Sequence, residues 1–343
     1  MPIPCRVVGR SNLTSFCLRC GIITWAPQKI RMSLRDRAEG DRNGIGLGEY
    51  MMLATTLLGR WLRHVRWARP AAVQHAVEFS HLAARVTLPA ASASELGIIQ
   101  WHRWPLISGG DIAYWQPGRT GLQCQRLPYA AAAGLTTTTY DDDFSCSIRD
   151  ITSLASGKGD LVGYATLDTY AMGECRGLVH YDRASIEPLL NWHELRFHSG
   201  AGTEESLESY SWQPGSYHLH NQGGAHHFAA ARLIAGFFDP GLRIKAPLTK
   251  HALNPEVAYG ILCAFVIFCE PEEHMMNEAF MKRMEVEKIP FAICAAPPPW
   301  QEGHHLLLLP CENSKAMTVA DIFRAYGWLD VGDLLLKQAK QQQ

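Results

Sequence analysis

Over the first 48 residues the apolar positions keep no period. Gly9, Gly40, Gly44, Gly46 and Gly48 punctuate the chain among clusters of Arg and Asp. That pattern predicts an irregular leader over 1–48. The pattern changes at residue 49. Met51, Ala54, Leu57, Leu58, Trp61 and Leu62 recur near helical spacing, and a second helical run follows Pro70 through Val73, Val77, Phe79 and Leu82. Pro70 suits the first turn of that run. The two runs predict a helical subdomain at 49–90, within one main globular domain over 49–343.

Beyond it, residues 93–98 read as one more helical turn. Trp101, Trp104, Ile112, Tyr114 and Trp115 read as short strands and loops. Four threonines from Thr136 run into Asp141–Asp143, a strand end meeting an exposed loop. Residues 159–182 read as strand with turns, and Ser185–Leu195 as a short helix or an extended connection. The Gly/Ser/Glu-rich stretch 199–208 reads as a surface loop. A turn at Gln222–Gly224 opens a helix over Ala225–Phe237. Leu262–Cys269 and Phe291–Cys294 read as strands around a helix at Glu272–Glu287, and His305–Leu309 as a further strand. Two helices close the chain: Thr318–Tyr326, with Thr318 as its cap, and Asp330–Lys340. No internal repeat is apparent. The fold class expected is α/β or α+β, a mixed sheet flanked by helices.

Composition narrows the class. Hydrophobic residues make up 47% of the 343 and charged residues 19%, which excludes a disordered or coiled-coil chain. The formal charge of −1 conceals an asymmetry: residues 1–70 hold 12 Lys/Arg against four Asp/Glu, so a net +8 faces −9 in the remainder. The basic leader is either a solvated segment or a contact for nucleic acid or a partner protein. Ile261–Cys269 and Leu306–Pro310 are too short for membrane spans, so no membrane insertion is expected. The start lacks the pattern of a secretory signal. Cys263, Cys269 and Cys294 sit in apolar runs and read as reduced, buried thiols. The expected compartment is the cytoplasm.

Chemistry concentrates in one place. Fifteen histidines occur in the chain, and four lie between 218 and 227, in the segment His218-Leu-His-Asn-Gln-Gly-Gly-Ala-His-His227. Gly223 and Gly224 allow close backbone approach, and the helix that starts beyond them presents unpaired N–H groups and a positive dipole end. A phosphate fits such a terminus. His226 and His227 lie in the first turn, Arg232 farther along, and Asn221 at the turn's entrance. The run Gly-x-His-His-Phe-Ala-Ala-Ala resembles the Gly-x-His-Arg-x-x-Ala-Ala box of the ParB/sulfiredoxin-like superfamily. Gly224, His226 and His227 stand at its Gly, His and Arg positions, so this chain has histidine where the family has arginine. The resemblance covers about 15 residues and implies nucleotide-phosphate binding, as in members that use CTP; the reaction expected is phosphotransfer or phosphoester hydrolysis, and CTP, ATP and NAD are the ligands that would test it. The chain also resembles bacterial or phage families of uncharacterised function.

On this reading His226, His227 and His220 carry acid–base chemistry, and Gly223, Gly224, Asn221 and Arg232 hold the nucleotide. The rival reading is a metal-dependent hydrolase. His218 and His220 lie two apart on a strand, and with His226 they supply three imidazoles. Glu205 or Glu208 would complete a divalent-metal site. A third reading is a non-enzymatic interaction protein accessory to nucleic-acid metabolism. Weaker candidates are the Cys17–Cys20 pair, Asp141–Asp143 for a cation, and Cys146 or Cys175 as nucleophile. Lys158 between Gly157 and Gly159 lacks the full P-loop spacing. Glu302 and His304 follow the Pro297–Pro299 run.

Overall fold

The computed structural model describes residues 86–104, 111–195, 197, 205–275 and 278–341. All of them fall in one compact unit, Ala68–Gln343. The leader at 1–48, the helical runs up to 85 and the Cys17–Cys20 pair lie outside the described residues.

The architecture is mixed α/β. Twelve strands and nine α-helices are described. The strands are β1 Asp111–Pro117, β2 Leu122–Pro128, β3 Thr136–Asp141, β4 Ser145–Ser147, β5 Ile151–Leu154 and β6 Ser206–Tyr210, then β7 Tyr217–His220, β8 Arg243–Lys245, β9 Leu248–Leu253, β10 Phe265–Pro271, β11 Phe291–Ala295 and β12 His304–Pro310. The helices are α1 Ala130–Ala133, α2 Leu167–Glu174, α3 Ile186–Leu190, α4 Ala225–Phe238, α5 Pro255–Ala264, α6 Glu272–Met275, α7 Glu278–Val286, α8 Ser314–Ala325 and α9 Val331–Lys340.

Two five-stranded sheets organise them. One has the order β3-β9-β6-β7-β5 and mixes parallel with antiparallel pairs; the other, β10-β12-β11-β1-β2, is antiparallel throughout. The alternation of strand side chains sorts them into separate cores. Leu154, Leu207, Leu219 and Leu248 of the mixed sheet pack with α2, α3 and α4. Tyr210 and Leu253, on its other face, join Ile98, Trp101, α5 and α9 against Ile267, Ala292 and Leu308 of the antiparallel sheet. The far face of that sheet packs Phe268, Phe291 and Leu307 on α7 and α8. The stretch 98–104 thus lies in the core shared by the two sheets. It is held by bonds from Trp212 Nε1 to the Ile99 carbonyl (3.0 Å) and from Trp101 Nε1 to Gln338 (2.7 Å).

Several local expectations need correction. Of the stretch 199–208 read as a surface loop, residues 206–208 belong to strand β6, Ser206–Tyr210, because Leu207 and Tyr210 are buried positions that the surrounding Gly, Ser and Glu disguised. In the stretch read as strand at 159–182, Leu167, Tyr170 and Ala171 fall at helical spacing, and Thr166 and Thr169 form a capping box at the start of α2. Residues 262–264 end a helix whose cap is Asn254; the strand begins at Phe265. The expected helix at 272–287 is described as two pieces, α6 and α7. The strand–helix–strand reading holds, with β12 inserted between β10 and β11. Helix α8 starts a turn earlier than expected, capped by Asn313, and the Thr318 hydroxyl donates to the Ser314 carbonyl within it. Cys269 and Cys294 are buried, but Cys263 is exposed on α5.

Candidate functional site

A row of polar side chains crosses the mixed sheet. The ladders set Thr138 of β3 opposite His251 of β9, His251 beside Tyr210 of β6, Glu208 of β6 opposite His218 of β7, and His218 beside Ser153 of β5. Every strand of the sheet contributes. Side-chain contacts follow the row. Thr138 Oγ1 lies 3.1 Å from His251 Nδ1, the Tyr210 hydroxyl donates to Glu208 (2.5 Å), and Ser153 Oγ lies 2.6 Å from His218 Nδ1. The Tyr210 ring lies against both His251 (5.5 Å between centroids) and His218 (5.2 Å).

The stretch 95–103 adds to this face. His102 stacks on His251 with centroids 3.9 Å apart and rings within 14° of parallel. His102, Glu208 and His251 each offer a ligand atom, and the three atoms lie within 4.8 Å of one another. This is a small His/Glu cluster that could hold a metal ion, the one such group among the described residues. Its chemistry suits a cation. The buried atoms His102 Nδ1 and His251 Nε2 have no hydrogen-bond partner. Burial, then the proximity of His251 and Arg103, lowers the His102 imidazole to about 3. Burial likewise lowers His251, against the opposing pull of Glu208. Both rings are therefore neutral near pH 7, the form that ligates. Glu95 sits in the same field: burial raises its carboxyl first, and repulsion from Glu208 raises it further.

The glycine turn lies elsewhere. Gly224 takes φ +67° and caps α4, and its N–H donates to Glu194 Oε2 (2.9 Å). Hydrogen bonds from Gly224 and then Trp192 hold the Glu194 carboxyl low. A carboxylate of the chain itself thus meets the helix end that was read as a phosphate cradle. His227 stacks on Trp192 at 4.0 Å and His226 on Tyr170 at 5.5 Å. Lys158 shares with His226, His227 and Gly223 a cleft of about 340 Å³. Asn221 is buried, donating to the carbonyls of Ser156 and Gly223 and accepting from the Ser156 N–H. Arg232 donates to the carbonyls of Ile151 and Arg149 and pairs with Asp168.

The structure gives β7 as a strand, so His218 and His220 share a face, with His218 buried and His220 exposed. His226, on α4, belongs to the cleft instead. Glu205 is buried just before β6. Asp141 and Asp143 pair with Lys250 and Lys245. Burial pushes the Cys146 thiol up to about 11 and Cys175 up to about 12, which keeps both protonated. His304 Nδ1 lies 3.0 Å from the carbonyl of its neighbour Glu302. Sequence reasoning named Glu208 but missed His102, His251 and Ser153. His251 alternates within Leu248–Leu253, yet its ligand partner His102 is 149 positions away and no spacing announces it.

Among the described residues no helix is long and apolar enough to cross a membrane. Residues 141–343, more than half of the chain, match a family described as a family of unknown function (DUF6685). No curated protein and no solved structure matches.

Proposed function

The chain belongs to the DUF6685 family, which brings no activity with it, and we propose from its own residues that it is a metal-dependent hydrolase. His102, Glu208 and His251 would hold a divalent transition metal. Two imidazoles and one carboxylate leave coordination positions for water and substrate, as open catalytic zinc or ferrous sites do. A metal held there would supply an activated water and a Lewis acid for a substrate oxygen. Glu95, whose carboxyl is raised by burial and by Glu208, would be the neighbouring group able to hold a proton. The observation that carries this reading is the pair of imidazoles whose buried nitrogens, His102 Nδ1 and His251 Nε2, are unpartnered beside Glu208.

Elemental analysis of zinc-loaded, desalted protein tests it. One metal per chain is expected, with loss in His102→Ala and His251→Ala. Substoichiometric metal, together with thermal stability indifferent to chelators, would overturn the reading.

The nucleotide reading keeps one supporting observation: Lys158 joins His226 and His227 in the cleft at the start of α4. It must contend with Glu194, which a phosphate would have to displace from the Gly224 N–H. Titration with CTP and ATP should then show tighter binding to Glu194→Gln than to the unaltered chain; equal or absent binding counts against it.

A further inference from the structure

Ser153 and His218 have no part in the metal cluster, and their geometry is that of a nucleophile beside a base. Ser153 Oγ and His218 Nδ1 are 2.6 Å apart. Both residues are 2% exposed. The ladder between β5 and β7 shifts register between Ile151 and Ser153. Irregularities of this kind re-aim a side chain out of the strand's regular alternation. Both residues line a cavity of about 150 Å³, together with Arg232, Gln213 and Thr166. Thr166 and its neighbour Ala165, which also lines the cavity, are exposed, so the space opens to solvent. Arg232 is anchored through three of its five N–H donors, to the Ile151 carbonyl, the Arg149 carbonyl and Asp168. Two donors remain on a fixed, positively charged plane.

We propose that Ser153 and His218 form a catalytic dyad that cleaves esters of small carboxylic acids, with Arg232 as the positive charge at the acyl oxygen. The ligand class follows from the space and its lining: a cavity this size admits a short acyl group, and an arginine plane suits a carbonyl oxygen gaining negative charge. Ser153 Oγ attacks the acyl carbon as its proton passes to His218 Nδ1. The ester C–O bond breaks, and the alcohol leaves with that proton. Water then attacks acyl-Ser153, giving one proton to His218. Release of the acid returns that proton to Ser153 Oγ. No oxidant, reductant or metal is needed. The ring of His218 is oriented by Tyr210 rather than by a third hydrogen-bonding residue, since Nε2 has no partner.

The full chain is treated with p-nitrophenyl acetate in the presence of a metal chelator, and separately with a fluorophosphonate probe. A burst of p-nitrophenol is expected, with one adduct per chain mapped by peptide mass to Ser153. Ser153→Ala should lose the adduct, and His218→Gln should slow acylation by about 100-fold. An adduct-free Ser153 in the unaltered, folded chain overturns the proposal, whatever the variants do. So does ester cleavage that disappears with the chelator, which would assign the turnover to the metal cluster.

Discussion

His251 illustrates how much a single side chain carries. Its Nδ1 faces Thr138 on an edge strand, and its Nε2 is buried without a partner. If Nδ1–H donates to Thr138 Oγ1, the Nε2 lone pair is left for a cation. Outer partners of this kind fix tautomer and ring orientation. Thr138→Val keeps the shape and strand propensity of an exposed position but removes the acceptor. Zinc affinity, measured by competition with a chromophoric chelator, should fall by about 10–100-fold. Unchanged affinity in a folded variant would show that the Thr138 bond plays no part in ligation. This pairing was not legible in the sequence, because Thr138 is one of four equivalent threonines until β3 meets β9.

At the scale of elements, the turn into α4 was legible and its chemistry was not. Two glycines before a run of small and apolar residues correctly announced a tight turn and a close-packed helix. Phe228, Ala229, Ala230 and Ala231 are all fully buried on it. The structure adds the reason Gly224 is needed twice over. Its φ is +67°, and a Cβ there would stand 2.6 Å from Leu195 Cγ. Gly224→Ala should therefore destabilise the protein by about 1–3 kcal/mol, read from urea denaturation. A neutral effect would mean that the turn relaxes freely. What the helix end binds depends on Glu194, thirty residues upstream, so the phosphate reading could not have anticipated its competitor.

The whole molecule carries a pH signature led by two buried groups, His218 and Glu270, and the half-buried His102. Burial lowers His218 to about 4, and burial with neighbouring charge lowers His102 to about 3, from an ordinary 6.5. The unfolded chain takes up these protons near pH 6.5 while the folded chain refuses them, so stability is lost as pH falls below about 6.5. Glu270 behaves oppositely. Burial raises it to about 9 from 4.5, so the folded chain keeps a proton that the unfolded chain releases, and stability is lost as pH rises between those values. Between pH 4.5 and 6.5 two histidines oppose one carboxyl and dominate; above 6.5 Glu270 leads the loss, and the raised Cys146 and Cys175 thiols add to it near pH 9. Stability from chemical denaturation should peak near pH 6.5 and decline on the alkaline side by on the order of 1 kcal/mol per pH unit. Glu270→Gln should flatten that alkaline limb. A limb as steep in the variant would remove Glu270 as its cause.

The sequence by itself determined the α/β class, the turn and helix at 222–238, and the buried strands near 265–271, 291–295 and 304–310. Each rests on local periodicity, on glycine torsions or on runs of apolar residues. Only the tertiary structure decided which histidines meet. His218 and His226 are eight residues apart, yet His218 sits beside Ser153 on the sheet and His226 rests on Tyr170 of α2. The strand pleat and the passage from strand to helix separate them. His102, Glu208 and His251 are brought together across the chain by the pairing of β6 with β9 and by the placement of 98–104 in the core between two sheets. Those pairings are fixed by burial of apolar side chains drawn from separate parts of the sequence, so no local spacing encodes them.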